Sequence, residues 1–212
     1  GEAQRVAIAA ALALSPAVLA LDEPTSQLDD ANAAAVLAAV RGLADGGTTV
    51  VLSEHRLDRV IGVADRMIWL GGPGARPIVG RPADVLAQVA LPAPPGASFA
   101  TVRRAARPAL AFEAVTFGYD GPLLSDVSMS VAAGEFVALL GSSGCGKTTL
   151  LRAISGFVPV RGGQIRAGGQ DITHLPPDKR DMAMVFQSYA LWPHMTAAQN
   201  IGYGLKLRRL GR

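Results

Sequence analysis

The stretch Gly141-Ser142-Ser143-Gly144-Cys145-Gly146-Lys147-Thr148 places the tightest constraint on what this chain can fold into. It fits G-x-x-x-x-G-K-[ST], follows the apolar run Phe136–Leu140 and opens a predicted helix at Lys147. Glycines let successive backbone N–H groups turn inward, and a helix N-terminus adds positive potential, so strand, loop and helix together cradle phosphate oxygens. Lys147 then reaches the terminal phosphates and the Thr148 hydroxyl ligates Mg²⁺. Cys145 occupies a variable slot of the loop and reads as a small filler, not a nucleophile.

A strand that ends in a phosphate loop belongs in a parallel sheet with helices on its faces. The first 90 residues supply the matching alternation. Ala3–Leu14 is Ala/Leu-rich and helical, and Ser15-Pro16 stops it. Ala17–Leu21 is a short apolar strand, Asp30–Ala44 a helix closed by Asp45-Gly46-Gly47, and Thr48–Leu52 a β-branched strand. His55–Ala64 predicts a further helix and Arg66–Leu70 a further strand. Leu91–Ala109 is rich in Pro, Ala and Arg without a periodic apolar face, and reads as a linker, with Arg103, Arg104 and Arg107 solvated. Residues 110–212 start afresh: strands at Leu110–Phe117 and Phe136–Leu140, the glycine loop and its helix, a strand at Met182–Phe186 and a final helix near Ala197–Leu210. The two segments show no internal repeat.

The apolar strand Val18–Leu21 ends in Asp22-Glu23. Beside a phosphate loop, Asp22 could hold Mg²⁺ through water, and Glu23 could polarise an attacking water, because a carboxylate orients or accepts a proton.

Composition removes several alternatives. With 212 residues, 50% hydrophobic and 17% charged, the chain is globular rather than disordered or collagenous. A single cysteine cannot form an internal bridge. The net charge of +3 is uneven: residues 1–90 carry 7 Lys/Arg against 10 Asp/Glu, and residues 91–212 carry 13 against 7. No long basic cluster interleaved with aromatics points to nucleic acid, and none is expected as a partner. The longest apolar stretch, Val6–Leu21, is broken by Ser15-Pro16 and falls short of a membrane span. His174 and His194 read as surface residues without metal-ligand spacing. The chain begins at Gly1, so either its N-terminus was processed or it is a fragment.

Taken together, these motifs resemble the ATP-binding cassette (ABC) ATPases, the motors of ABC transporters. Leu21-Asp22-Glu23-Pro24-Thr25-Ser26-Gln27-Leu28-Asp29 resembles their Walker B and D-loop, Ser53-Glu54-His55-Arg56 their H-loop, and Gly1-Glu2-Ala3-Gln4-Arg5 the tail of their signature motif. Phe117-Gly118-Tyr119 resembles the A-loop, the phosphate loop is Walker A, and Met184-Val185-Phe186-Gln187-Ser188 resembles the Q-loop. EPTSQLD with SEHRLDRV is similar to tandem ATPases of energy-coupling-factor importers. The second segment is similar to importer ATPases for polyamine, ferric iron, sugar or phosphonate.

The resemblance implies a P-loop NTPase (RecA-like) α/β core with a mostly parallel sheet, an antiparallel β portion from the second segment, and a largely missing helical subdomain. It implies ATP bound at Tyr119, Gly141, Ser142, Gly144, Cys145, Gly146, Lys147, Thr148 and Thr149. Mg²⁺ falls to Thr148, Gln187 and Asp22, and catalysis to Glu23, His55 and Gln187. It further implies ATP hydrolysis that powers a membrane importer at the cytoplasmic face of the bacterial inner membrane. The implied partners are a second cassette and transmembrane permease subunits, the latter through the region of Tyr189, Leu191 and Trp192. The alternative is a nucleotide-binding fragment without effective hydrolysis.

Motif order departs from the family, in which A-loop, Walker A and Q-loop come first. Here residues 1–90 hold the motifs of a cassette's C-terminal half and residues 110–212 those of an N-terminal half, as in a window cut from a tandem two-cassette protein. The linker reaches ~60 Å when extended, against a radius of gyration near ~17 Å for a body of this size, so it can close the circle. The expectation is one permuted core with the Asp22 strand beside the Phe136 strand; the rival is two separate half-domains or a swapped dimer.

Overall fold

Short aliphatic and β-branched runs form the strands of the chain, and Ala-rich amphipathic stretches form its helices, in a computed structural model that describes residues 2–72, 74–94 and 107–208. In the first segment the order is α1 (Glu2–Leu12), β1 (Val18–Asp22), α2 (Asp30–Asp45), β2 (Thr49–Ser53), α3 (Leu57–Val60), β3 (Arg66–Leu70), β4 (Ile78–Gly80) and α4 (Pro82–Gln88). In the second it is β5 (Pro108–Phe117), β6 (Leu124–Ala132), β7 (Phe136–Gly141), α5 (Lys147–Ile154), β8 (Val160–Ala167), β9 (Gln170–Asp171), β10 (Met182–Val185) and α6 (Ala197–Leu207). Residues 95–106 of the stretch read as a linker, with Arg103 and Arg104, and residue 1 of the signature-like tail lie outside the described residues.

The main sheet has the order β10-β1-β2-β7-β3-β4. All neighbours are parallel except the edge pair β3–β4. Every residue of β1 and β2 is buried, as a strand covered on both faces requires. Along β1, Val18 and Ala20 face one core while Leu19 and Leu21 face the other; along β7, Val137 and Leu139 alternate with Phe136, Ala138 and Leu140 in the same way. The first core lies between this sheet, α5 and a second, antiparallel sheet of order β6-β5-β8-β9. The second core is closed by α1, α2, α3 and α4. The mixed α/β architecture with a parallel-dominated sheet and an antiparallel portion is the one expected.

Strands of the two segments interleave. β7 pairs with β2 on one side and β3 on the other, and β10 pairs with β1. Polar contacts fasten the junction: Asp65 accepts from the Phe136 backbone N–H at 2.8 Å and from Arg41 at 2.8 Å, and the Gly134 N–H donates to the Thr49 hydroxyl at 3.2 Å.

Two local expectations are corrected. The Asp22 strand and the Phe136 strand share one sheet but are not neighbours, because β2 stands between them and pairs with both. The helix predicted over His55–Ala64 is confined to Leu57–Val60. The His55 and Arg56 N–H groups are taken by the Glu54 carboxylate, at 2.8 and 3.4 Å, and the chain must then turn so that the Asp65 N–H can donate to the Phe136 carbonyl and start β3.

Candidate functional site

Parallel strands deliver their C-terminal ends to one edge, where ligands of open α/β sheets bind. Here that edge carries Asp22 at the end of β1 and Glu23 after it, Ser53 at the end of β2 with Glu54 and His55 after it, the glycine loop at the end of β7 and Gln187 beyond β10. A cleft of about 340 Å³ opens there, lined by Glu23, His55, Leu123, Ser143, Gly144, Gly146, Lys147, Thr148, Thr149 and Gln187.

The loop itself follows from its residue types. Gly144 and Gly146 have φ of 79° and 104°, left-handed values that side-chain-bearing residues avoid. Gly146 forms the N-terminal boundary of α5, so Lys147 and Thr148 sit in its first turn. Lys147 is buried, and its Nζ donates to the carbonyls of Gly141 and Ser142 at 2.8 and 3.1 Å. Cys145 points into the first core instead of the cleft.

Across the cleft the acidic turn is tightly held. Glu23 has a left-handed backbone, φ 50°, rare for a residue with a side chain. Its N–H lies 3.1 Å from the Ser53 hydroxyl and 3.2 Å from the Ser53 carbonyl, both acceptors. Its carboxylate takes a hydrogen bond from His55 Nε2 on one oxygen and from Gln187 Nε2, at 2.9 Å, on the other. Asp22, also buried, accepts from the Ser53 hydroxyl at 2.7 Å and from the Thr148 hydroxyl at 3.0 Å. Residues from both segments thus meet in one polar cluster.

Of the residues singled out from sequence, Glu23, His55, Gln187, Gly144, Gly146, Lys147, Thr148 and Thr149 line the cleft, and Asp22 touches it through Thr148. Gly141 and Ser142 turn their carbonyls to Lys147. Tyr119 lies outside the lining, half exposed, with its hydroxyl accepting from Arg152 at 3.1 Å and its carbonyl from Arg161. His174 and His194 are exposed. Sequence reading placed Ser53 in the H-loop-like stretch but gave it no role, although it is the partner of both acids. Its signal was available in its place at the end of a β-branched strand, one residue before Glu54-His55.

The donor set suits a hard cation and a polyphosphate. Thr148, Asp22 and Gln187 offer oxygens, the ligand type Mg²⁺ prefers. Among the described residues no group of three His, Cys, Asp or Glu side chains is placed to hold a metal ion. No described helix is long and apolar enough to cross a membrane.

Among known proteins, residues 124–210 match the family model described as ABC transporter. The resemblance to importer-type ABC transporter ATPases, read above from motifs, therefore has independent support across this part of the chain. Among individual proteins, the chain is 58% identical over 91 residues to a spermidine/putrescine import ATP-binding protein of Pseudomonas fluorescens, covering 43% of this chain and 25% of that protein. It is 53% identical over 106 residues to an sn-glycerol-3-phosphate import ATP-binding protein of Burkholderia thailandensis, covering 49% of this chain and 29% of that protein. A Burkholderia pseudomallei protein of the same name is 52% identical over 106 residues, with the same coverage. The chain spans between a quarter and a third of the length of these relatives.

Proposed function

We propose that the chain binds ATP with Mg²⁺ in this cleft and hydrolyses it as the ATP-binding part of a membrane importer. The observation that carries the reading is the convergence of Glu23, His55 and Gln187 on the cleft that holds Lys147 and Thr148. Residues 1–90 and 110–212, complementary cassette halves on this reading, jointly supply it.

The roles follow from geometry and chemistry. Lys147 swings from the carbonyls of Gly141 and Ser142 to phosphate oxygens, which its charge favours over neutral acceptors. The loop N–H groups hold the remaining phosphate oxygens. Thr148 and Gln187 would hold Mg²⁺, with Asp22 behind them through the Thr148 hydroxyl, and the cation when bound would supply charge neutralisation at the phosphates. Glu23 orients a water and takes its proton, while His55, on the same carboxylate, fixes the direction of that proton acceptor. Tyr119, exposed beside Arg152, offers a ring for adenine to stack on.

The relatives are named for import, which supports membrane permease partners and a peripheral place at the cytoplasmic face. Trp192, exposed and near Tyr203 at 5.8 Å between ring centroids, marks the proposed permease-facing surface after Gln187. A second cassette completes the assembly on this reading.

The test separates binding from hydrolysis. Calorimetric titration with ATP should give Mg²⁺-dependent binding that Lys147→Ala weakens at least about tenfold. Glu23→Gln should retain binding and lower phosphate release about 10²-fold or more. Binding without any phosphate release from the parent chain would leave the nucleotide-binding alternative; equal binding by Lys147→Ala would overturn the site.

A further inference from the structure

Behind the cleft lies a buried carboxylate to which the proposed reaction assigns no role. Glu54 is 1% exposed. It accepts from the His55 N–H at 2.8 Å, from the Arg56 N–H at 3.4 Å and from the Thr25 hydroxyl. The same Thr25 hydroxyl accepts from Arg59 at 3.1 Å. Arg59 also donates to the Thr25 carbonyl at 2.6 Å, the Leu28 carbonyl at 3.1 Å and Asp30 at 2.7 Å. Arg56 reaches Asp30 as well, at 3.0 Å. The turn that begins at Glu23 and the turn that carries His55 are therefore bolted together across about thirty positions of chain.

A buried carboxylate is costly unless each of its oxygens is satisfied, and removing one partner exposes that cost. Glu54 meets the requirement with donors from both turns at once. We infer that Glu54, through Thr25 and Arg59, positions Glu23 against His55: it fixes the backbone of His55 on one side and the loop after Glu23 on the other. Glu54, Thr25 and Arg59 are positioning residues that line no part of the cleft. The inference rests on the proposed roles of Glu23 and His55. Its added content is that the loop of residues 24–30 and the His55 turn move as one body.

Thr25→Val keeps shape and removes the bridging hydroxyl; Thr25→Ser restores it. Two measurements on the full 212-residue chain test the inference. The first is amide hydrogen exchange, which needs no activity. In Thr25→Val the His55 and Arg56 amides should exchange at least about fivefold faster, while amides of β7 stay unchanged and Thr25→Ser matches the parent. Unchanged exchange at His55 overturns the inference whatever the chain's activity. The second is ATP turnover against ATP affinity. Thr25→Val should lower kcat at least about tenfold with the affinity within about twofold, and Thr25→Ser should recover kcat. Equal kcat in Thr25→Val, or equal loss in Thr25→Val and Thr25→Ser, overturns the positioning role. If the parent shows no turnover, the hydrolytic reading fails, and the exchange result alone decides whether the two turns are coupled. Should Thr25→Val not fold, Arg59→Gln is measured in the same two ways.

Discussion

The Thr148 hydroxyl donates to Asp22 Oδ1 at 3.0 Å, although 126 positions separate them. Thr148 belongs to the phosphate loop of the second segment and Asp22 to the acidic strand end of the first. Ser53 holds the same Asp22 oxygen at 2.7 Å and contacts the Glu23 N–H through its own oxygen. One hydroxyl thus sets both acids on which the proposed site depends.

Removal of that hydroxyl makes the first prediction. In Ser53→Ala, Asp22 loses a donor and the Glu23 N–H loses an acceptor, both in buried surroundings. The expected cost is about 1–3 kcal/mol in urea denaturation, with Mg²⁺-dependent ATP affinity reduced more than Mg²⁺-free affinity. Unchanged stability would show that the carbonyl of residue 53 and water replace the hydroxyl fully.

The second prediction concerns the far end of the helix that carries Lys147. Arg180 is buried and donates to the carbonyls of Ala153 and Ile154 at 2.8 and 2.6 Å, and to those of Leu175 and Thr173 at 2.8 and 3.1 Å. Burial pulls its pKa below the ordinary guanidinium value. Arg180→Met should cost roughly 3 kcal/mol, because four carbonyls lose a charged donor. Arg180→Lys should recover only part, since an ammonium lacks the planar fork. Chemical denaturation of both variants checks the order.

A third prediction is a pH dependence. The Asp171 carboxyl is lowered to about 2, first by the Thr173 hydroxyl, then by the Thr173 N–H and Gln164. Its folded value lies below its ordinary 3.8, so its contribution to stability is complete above 3.8 and lost as pH falls toward about 2. Asp30 is lowered as well, chiefly by Arg59, and behaves with the same sign. Asp171→Asn should lower stability near neutrality, where the carboxylate's contribution is complete, and flatten the acid limb between these values, so that variant and parent converge at low pH. Denaturation midpoints measured from pH 5 to pH 2.5 decide this, and an unaltered acid limb would contradict it.

How far the sequence speaks depends on how local each signal is. The strands β1, β2 and β7 are aliphatic or β-branched runs buried on both faces, and both their existence and their bounds were readable within a residue or so. β8, with Gly162-Gly163 between the polar residues Arg161 and Gln164, was not, because its apolar alternation is interrupted there. There Gly163 takes φ 77° where the β5–β8 register shifts. The cleft residues were readable because loop and strand-end chemistry is local. Strand order was not: nothing in TVVLS says that β2 will separate β1 from β7. The end of the helix after His55 was likewise hidden, since it depends on Asp65 reaching Phe136 from another segment.

The central claim is that one molecule brings Asp22 and Thr148 together. The direct measurement is cross-linking of Asp22→Cys/Thr148→Cys in a Cys145→Ser background, with a short bifunctional thiol reagent at low protein concentration and intact-mass analysis. The account predicts a dominant linked monomer, one reagent bridging both thiols of a single chain. Linked dimers alone, or no linked species while each thiol reacts singly, would contradict it.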